Sequence, residues 1–303
     1  MFRVLVLGAG GMLAHDLRAE APGDVELVTR TSREVDVTNP DALSAVIAQV
    51  TPDVLINCAA YTDVDGAESH QERAFAINGD APGLIAAALA RQRRPDAASD
   101  ALLVHYGTDY VFDGSGSRPY REEDRCAPLG VYGASKLAGE LKIAQEGRRY
   151  VILRTQWLYG LHGRSLPRTM WERATARLPT KVVNDQTGRP TYSVDLARAT
   201  WRLLSVERRR GAASTQGAVP ERILHVANSG RATWYQLAQR VFQRAGTPEL
   251  LTPCSTADFP RPAKRPVWSV LDTTRSEGIL ERPLPSWEDA LDRFLDQLAE
   301  HTT

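Results

Sequence analysis

The chain opens on a stretch that leaves it little choice of fold: an apolar, β-branched run over Phe2–Leu7, then Gly8-Ala9-Gly10-Gly11-Met12-Leu13-Ala14, then a helical pattern through Leu17. A strand that passes through a glycine turn straight into a helix sets the helix N-terminus beside the strand's carboxyl end. There the free amides and the helix dipole favour an anion, and glycines let a pyrophosphate come close to the backbone. The spacing departs from GxGxxG, since Leu13 holds the third position, but fits GxxGxxA through Gly8, Gly11 and Ala14. Dinucleotide binding is what such a turn serves, with a merely tight structural turn as the alternative. Strand and helix patterns then alternate: strands over 25–28, 53–57, 102–106 and 150–153, helices over 41–49, 68–91 and the segment that starts near Tyr132. That alternation implies an α/β fold, a doubly wound parallel sheet with right-handed crossovers.

The second strand ends in Thr29-Arg30-Thr31-Ser32-Arg33. An NAD-specific site usually has an acid about 20 residues past the glycines, to bond the ribose 2′-hydroxyl. Arg30 and Arg33 stand there instead and suit a 2′-phosphate, so NADPH is favoured, with NADH as the alternative. The formal charge is zero, with 37 basic and 37 acidic residues, which argues against nucleic acid or an anionic membrane as partner. Cys58, Cys126 and Cys254 are odd in number and far apart, so neither a disulfide framework nor a zinc site is expected. No apolar run approaches the roughly 20 residues of a membrane span, and the first residues enter a strand directly, so a cytoplasmic protein is expected.

Chemistry is carried by Tyr132-Gly133-Ala134-Ser135-Lys136, read with His105-Tyr106-Gly107-Thr108-Asp109 before it. A Tyr and a Lys four apart share one helix face. An ammonium there is expected to pull the phenol down toward a range useful for proton transfer. Gly107-Thr108-Asp109 is expected to turn out of the carboxyl end of a buried strand, where open parallel sheets bind ligands, which brings a hydroxyl to the Tyr/Lys face. Further along, helices are expected at 166–177, 193–206, 233–245 and 287–298, and strands at 181–183 and 223–226. Polar stretches at 91–100 and 207–220 read as a surface insertion and a linker, and the proline-rich 252–266 as irregular. Trp157 offers a flat apolar wall, and Arg189 with the basic run 261–265 offers phosphate partners.

These residues carry a resemblance. The glycine turn, Asn57-Cys58-Ala59-Ala60-Tyr61-Thr62 with Val64-Asp65-Gly66-Ala67-Glu68, the run from Thr108 to Gly114, Tyr132-Gly133-Ala134-Ser135-Lys136, Arg154-Thr155-Gln156-Trp157 and Asp185-Gln186-Thr187-Gly188-Arg189-Pro190-Thr191 resemble the extended short-chain dehydrogenases and, within them, the dTDP-4-dehydrorhamnose reductases. The resemblance implies a Rossmann-type domain over 1–156, with 192–227 returning to it, and a smaller C-terminal substrate-binding lobe in 157–303. It implies Thr108, Tyr132 and Lys136 as catalytic residues. Met12, Leu13, Asp36, Val37, Ala59, Ala60, Tyr61 and Tyr106 would line the cofactor, and Thr108, Asp109 and Trp157 would touch a nucleotide sugar. The implied reaction is NADPH-dependent reduction of a C4 ketone, by a monomer or homodimer. Other nucleotide-linked keto sugars, or cofactor binding without catalysis, stay open as alternatives. Three positions depart from the family pattern: Gly107 in place of Ser, Trp268 in place of Asn, and Val194 at an acidic position where some relatives hold magnesium, so no metal is expected.

Overall fold

The computed structural model describes residues 2–92, 100–213 and 222–300. Most of the expected insertion at 91–100 and the later half of the expected linker at 207–220 lie outside those residues.

Strands β1 (Phe2–Leu7), β2 (Val25–Arg30), β3 (Val54–Asn57), β4 (Leu102–Thr108) and β5 (Tyr150–Thr155) join a sixth, Ile223–His225, in one parallel sheet. The order across it is Ile223–His225, β5, β4, β3, β1, β2. All seven residues of β4 are buried, as a central strand covered on both faces requires. Side chains alternate between two cores. Val4 and Val6 pack with Ile56, Val104, Leu17 and Leu204 on one face, under the helices Met12–Ala19 and Ser193–Ala213. Leu5 and Leu7 pack with Leu55, Leu103, Ile47, Ile85 and Ile143 on the other, under Pro40–Val50, Ala81–Arg91 and Val131–Glu146.

From β1 the chain goes to β2 on one side and then returns to β3 on the other, so the switch point lies between the ends of β1 and β3. Here Gly8 has φ +77° and an added Cβ would stand 2.5 Å from the Ala59 amide nitrogen. Only glycine meets both conditions. A third core of Tyr159, Met170, Tyr192, Leu237, Phe242, Trp287 and Phe294 joins the helices Leu166–Thr175, Trp234–Arg244 and Trp287–Glu300 in the C-terminal part.

Three expectations need correction. Strand β4 does not turn out at Gly107 but runs on through Thr108, because Gly107 and Thr108 pair with Arg154 and Thr155 of β5. The helix expected to end at 206 continues through Ala213. Within and beyond the region read as irregular, Leu251–Cys254 pairs in parallel with Thr180–Val183, and Thr274–Leu280 is helical. Pro253 is tolerated because Leu251–Cys254 is an edge strand.

Candidate active site

A cavity of about 580 Å³ opens at the carboxyl ends of β1, β3 and β4. One end is the glycine turn, with Gly11, Met12 and Leu13 in its wall; Ala59, Ala60 and Tyr106 continue it, followed by Thr108, Asp109, Tyr132, Lys136 and Trp157. No side chain caps the first amides of Met12–Ala19, and the position above Gly10 is open space. Those free amides and that room fit a dinucleotide pyrophosphate.

Tyr132 is the second residue of Val131–Glu146, a helix whose first amide is capped from elsewhere: Val131 N donates to Glu68 Oε1 at 2.8 Å. Gly133 lets this helix lie against the turn after β4, since an added Cβ would stand 2.1 Å from the Tyr110 carbonyl oxygen. The Tyr110 ring meets Tyr132 edge to face at 5.5 Å. The Thr108 hydroxyl donates to Asp109 Oδ1 at 3.2 Å, accepts from the Tyr110 amide at 3.2 Å, and lines the cavity together with the Tyr132 phenol.

Burial pushes the phenol up to about 12, and the nearby Thr108 hydroxyl pulls the other way. The expected lowering of Tyr132 by Lys136 is therefore not what governs here. The Lys136 ammonium donates to the Tyr106 carbonyl at 2.6 Å, and burial brings Lys136 itself down to about 8. Tyr132 is thus a protonated phenol at neutral pH, the form a proton donor needs. Asp109, 1% exposed, is raised to about 7 by burial, with the nearby Ser269 and Thr108 hydroxyls opposing, and its Oδ2 has no partner.

Several expected residues lie outside the cavity wall. Gly8 shapes the turn from beneath. Arg30 ends β2 and donates to the Thr29 carbonyl, Arg33 is exposed, and the Asp36 carboxylate accepts from the Thr38 amide and hydroxyl. Val37 packs at the margin of the Leu5 core. Tyr61 is held through its backbone by Asn78, which accepts from its amide and donates to its carbonyl. Arg189 donates to Thr273 Oγ1, and Trp268 donates to the Arg118 carbonyl. In the basic run, Arg261 and Arg265 are held by Asp65.

Other wall residues carry no role assigned from the sequence: Asn57 and Gln156, which stand inside quoted motifs, and His162, Arg164 and Trp234. Arg164 brings an exposed guanidinium to the mouth. Trp157, in the left-handed region at φ +49°, stacks on Trp234 with ring centroids 3.4 Å apart and 9° between planes. One face of the expected wall is thereby covered. No local pattern announces Trp234, since it sits 77 residues further along and reaches Trp157 only through the third core.

The fold and the cavity define a class, that of the Rossmann-type proteins built on a dinucleotide-binding sheet. Comparison with known proteins narrows it. Residues 2–300 match the family model described as RmlD substrate binding domain. A relative from Streptomyces antibioticus, named a probable dTDP-4,6-dihydroxy-2-methyloxan-3-one 4-ketoreductase, is 41% identical over 99% of this chain and 97% of its own. The dTDP-4-dehydrorhamnose reductase of Mycobacterium tuberculosis is 39% identical over 99% of this chain and 95% of its own. A solved dTDP-4-dehydrorhamnose reductase from Bacillus anthracis, in complex with NADP, superposes with a TM-score of 0.86 at 32% identity, covering 98% of this chain and all of the other. The chain belongs to the RmlD family, that of the dTDP-4-dehydrorhamnose reductases.

Proposed function

We propose that this chain is an NADPH-dependent oxidoreductase that reduces the C4 ketone of a nucleotide-activated deoxyhexose, converting dTDP-4-dehydro-L-rhamnose to dTDP-L-rhamnose. The observation that carries the reading is that Thr108, Tyr132 and Lys136 line the same cavity as the glycine turn. Relatives that bear the reductase name over nearly their whole length support it.

NADPH, when bound, supplies the hydride. Gly8, Gly11, Met12 and Leu13 would hold its pyrophosphate end, Arg30 and Arg33 would pair with the 2′-phosphate, and Asp36, Val37, Ala59, Ala60, Tyr61 and Tyr106 would flank the remainder. Tyr132 gives its proton to the ketone oxygen while the Thr108 hydroxyl, turning its one proton from Asp109 Oδ1, donates to that oxygen as well. Lys136 acts from one turn along the same helix. In this reading residues 1–156, with 192–227, form the cofactor-binding part, and 157–303 mainly the substrate part. Asp109 and Trp157 contact the sugar nucleotide. Arg164, at the mouth, is better placed for its diphosphate than Arg189, which is tied to Thr273.

A second reading, reduction of a different dTDP-linked keto sugar, is favoured by the name of the 41% identical relative. Trp268 gives it no support, because its indole is turned to Arg118 outside the cavity wall. Following NADPH absorbance with a panel of dTDP-4-keto sugars separates the two. Highest kcat/KM on dTDP-4-dehydro-L-rhamnose is expected; a preference for another sugar selects the second reading, and no turnover on any of them rejects both.

A further inference from the structure

A buried polar chain runs inward from Asn57 in the cavity wall, and in it His105 has no role in the reaction as described. Asn57, the last residue of β3, pairs in register with His105 of β4, so the sheet itself sets the two side chains together. They are 2% and 1% exposed. The Asn57 amide is oriented from its other end, where Oδ1 accepts from Ala59 N at 3.0 Å. Its Nδ2 therefore faces His105 Nδ1 at 3.1 Å. An amide NH₂ can only donate, so Nδ1 accepts, and the single proton of a neutral imidazole sits on Nε2. Neutral the ring is, because burial, and then Lys136, hold it well below the ordinary histidine range. Nε2 in turn stands 3.5 Å from Lys136 Nζ.

This arrangement turns an N–H toward a group that, while charged, has only N–H to offer. Once deprotonated, the same Lys136 nitrogen has a lone pair to accept it. We propose that Asn57, by fixing the tautomer of His105, makes His105 a positioning residue that disfavours the charged form of Lys136 and keeps it, against the Tyr106 carbonyl, an amine that readily exchanges its proton one helical turn from Tyr132. Burial already lowers Lys136, and the other titratable groups around it do not add to this bias. Glu140, on the same helix, favours the ammonium and is itself paired with Arg154. Cys58, beyond β3, is a neutral thiol pushed up to about 12 by burial. Tyr132 is a neutral phenol over the same range, and Asp109 acts on Tyr132 rather than on Lys136.

The catalytic meaning of this device rests on the reduction proposed above, but its test does not use turnover. The chain has four lysines, at 136, 142, 181 and 264. Lysine labelled with ¹³C at the ε position therefore gives four NMR titrations, with Lys136 assigned by its loss in Lys136→Met. In the parent, Lys136 is expected to titrate near 8. In His105→Gln, whose amide can turn its oxygen to Nζ, and in Asn57→Leu, which frees the imidazole to do the same with Nε2, the midpoint should rise by about one unit or more, a tenfold shift in the equilibrium. The other three lysines should not move. Long-range ¹⁵N spectra of the parent should show His105 protonated at Nε2. An Nδ1–H tautomer in the parent, or an unmoved Lys136 midpoint in a variant whose other lysines titrate as before, overturns the proposal. A chain inactive on every keto sugar would leave these spectra standing and would reject only the function.

Discussion

The Glu140 carboxylate and the Arg154 guanidinium meet at 2.6 Å with 3% of each side chain exposed, and they occupy the space a side chain at Gly107 would need. An added Cβ would stand 2.5 Å from Glu140 Oε1 and 2.8 Å from Arg154 Cγ. The departure from Ser at this position is thus a matter of packing. Disturbing a buried pair leaves two charges poorly matched away from water. Gly107→Ser, which restores the residue the family resemblance leads one to expect, should cost about 1–3 kcal/mol. An unchanged urea midpoint would show that the pair shifts aside freely.

Tyr132→Phe keeps the ring that packs on Tyr110 and removes the proton donor. Turnover should fall at least about a hundredfold with little change in NADPH affinity. Should the variant turn over normally, Tyr132 is not the acid. A loss of melting temperature in place of activity would make it a packing residue.

Much of this was legible because it depends on neighbours close in sequence. The alternation of patterns gave the sheet, the glycine turn its switch point, and the four-residue step from Tyr132 to Lys136 a shared helix face. What stayed hidden depends on partners far along the chain. Nothing around Arg265 says that Asp65, 200 residues earlier, holds it, and nothing around Trp157 says that Trp234 covers it. Leu251–Cys254 shows no strand signal because it is half exposed and carries Pro253; its partner Thr180–Val183 makes it a strand. The effect of Lys136 on Tyr132 is hidden for a related reason: spacing reveals proximity, while burial and the Tyr106 carbonyl decide the charge.

Arg30 and Arg33 stand where an NAD-specific chain would carry an acid. Neither lines the cavity, yet Arg30 ends the strand beside β1 and its carbonyl accepts from the Ala9 amide of the glycine turn at 2.9 Å. Replacing both with Ala should raise the KM for NADPH and leave that for NADH nearly unchanged. Equal weakening of both cofactors would remove the 2′-phosphate assignment.

Asp109 places a carboxyl where burial raises it from 3.8 to about 7. The folded chain then holds a proton that the unfolded chain releases, so stability falls as pH rises from about 4 to about 7 and stays lower above. Asp109→Asn removes that penalty, at most about 4 kcal/mol. Its melting temperature should exceed the parent's at pH 8 by a few degrees and match it near pH 4, while kcat/KM for the sugar nucleotide falls. A variant less stable than the parent at pH 8 would mean that the carboxylate is better accommodated than its burial implies.

Asp65 ties the segment 261–265 to the short helix Val64–Ser69 that follows β3. Its carboxylate accepts from Arg261 Nε and Nη2, from the Ala263 amide, and from Arg265 Nη1 and Nη2. Arg261 is half exposed and adds little, whereas Asp65 and Arg265 are 17% and 18% exposed and form the effective part of the contact. The bonds from Arg265, followed by those from Ala263 and Arg261, lower Asp65 from 3.8 to about 2 against the opposing effect of burial. A carboxylate lowered in the folded state contributes stability that is present in full above about 4 and lost as pH falls through about 2. Asp65→Ala should therefore cost about 2 kcal/mol at pH 7, with the difference from the parent shrinking as the pH is lowered from 4 toward 2. Amides in 255–265 should lose hydrogen-exchange protection at neutral pH while those of β3 and β4 keep theirs. If the stability difference is the same at pH 3 and pH 7, or if the segment keeps its protection, its position is set by Ala263 and Pro266 in their buried sites and not by Asp65.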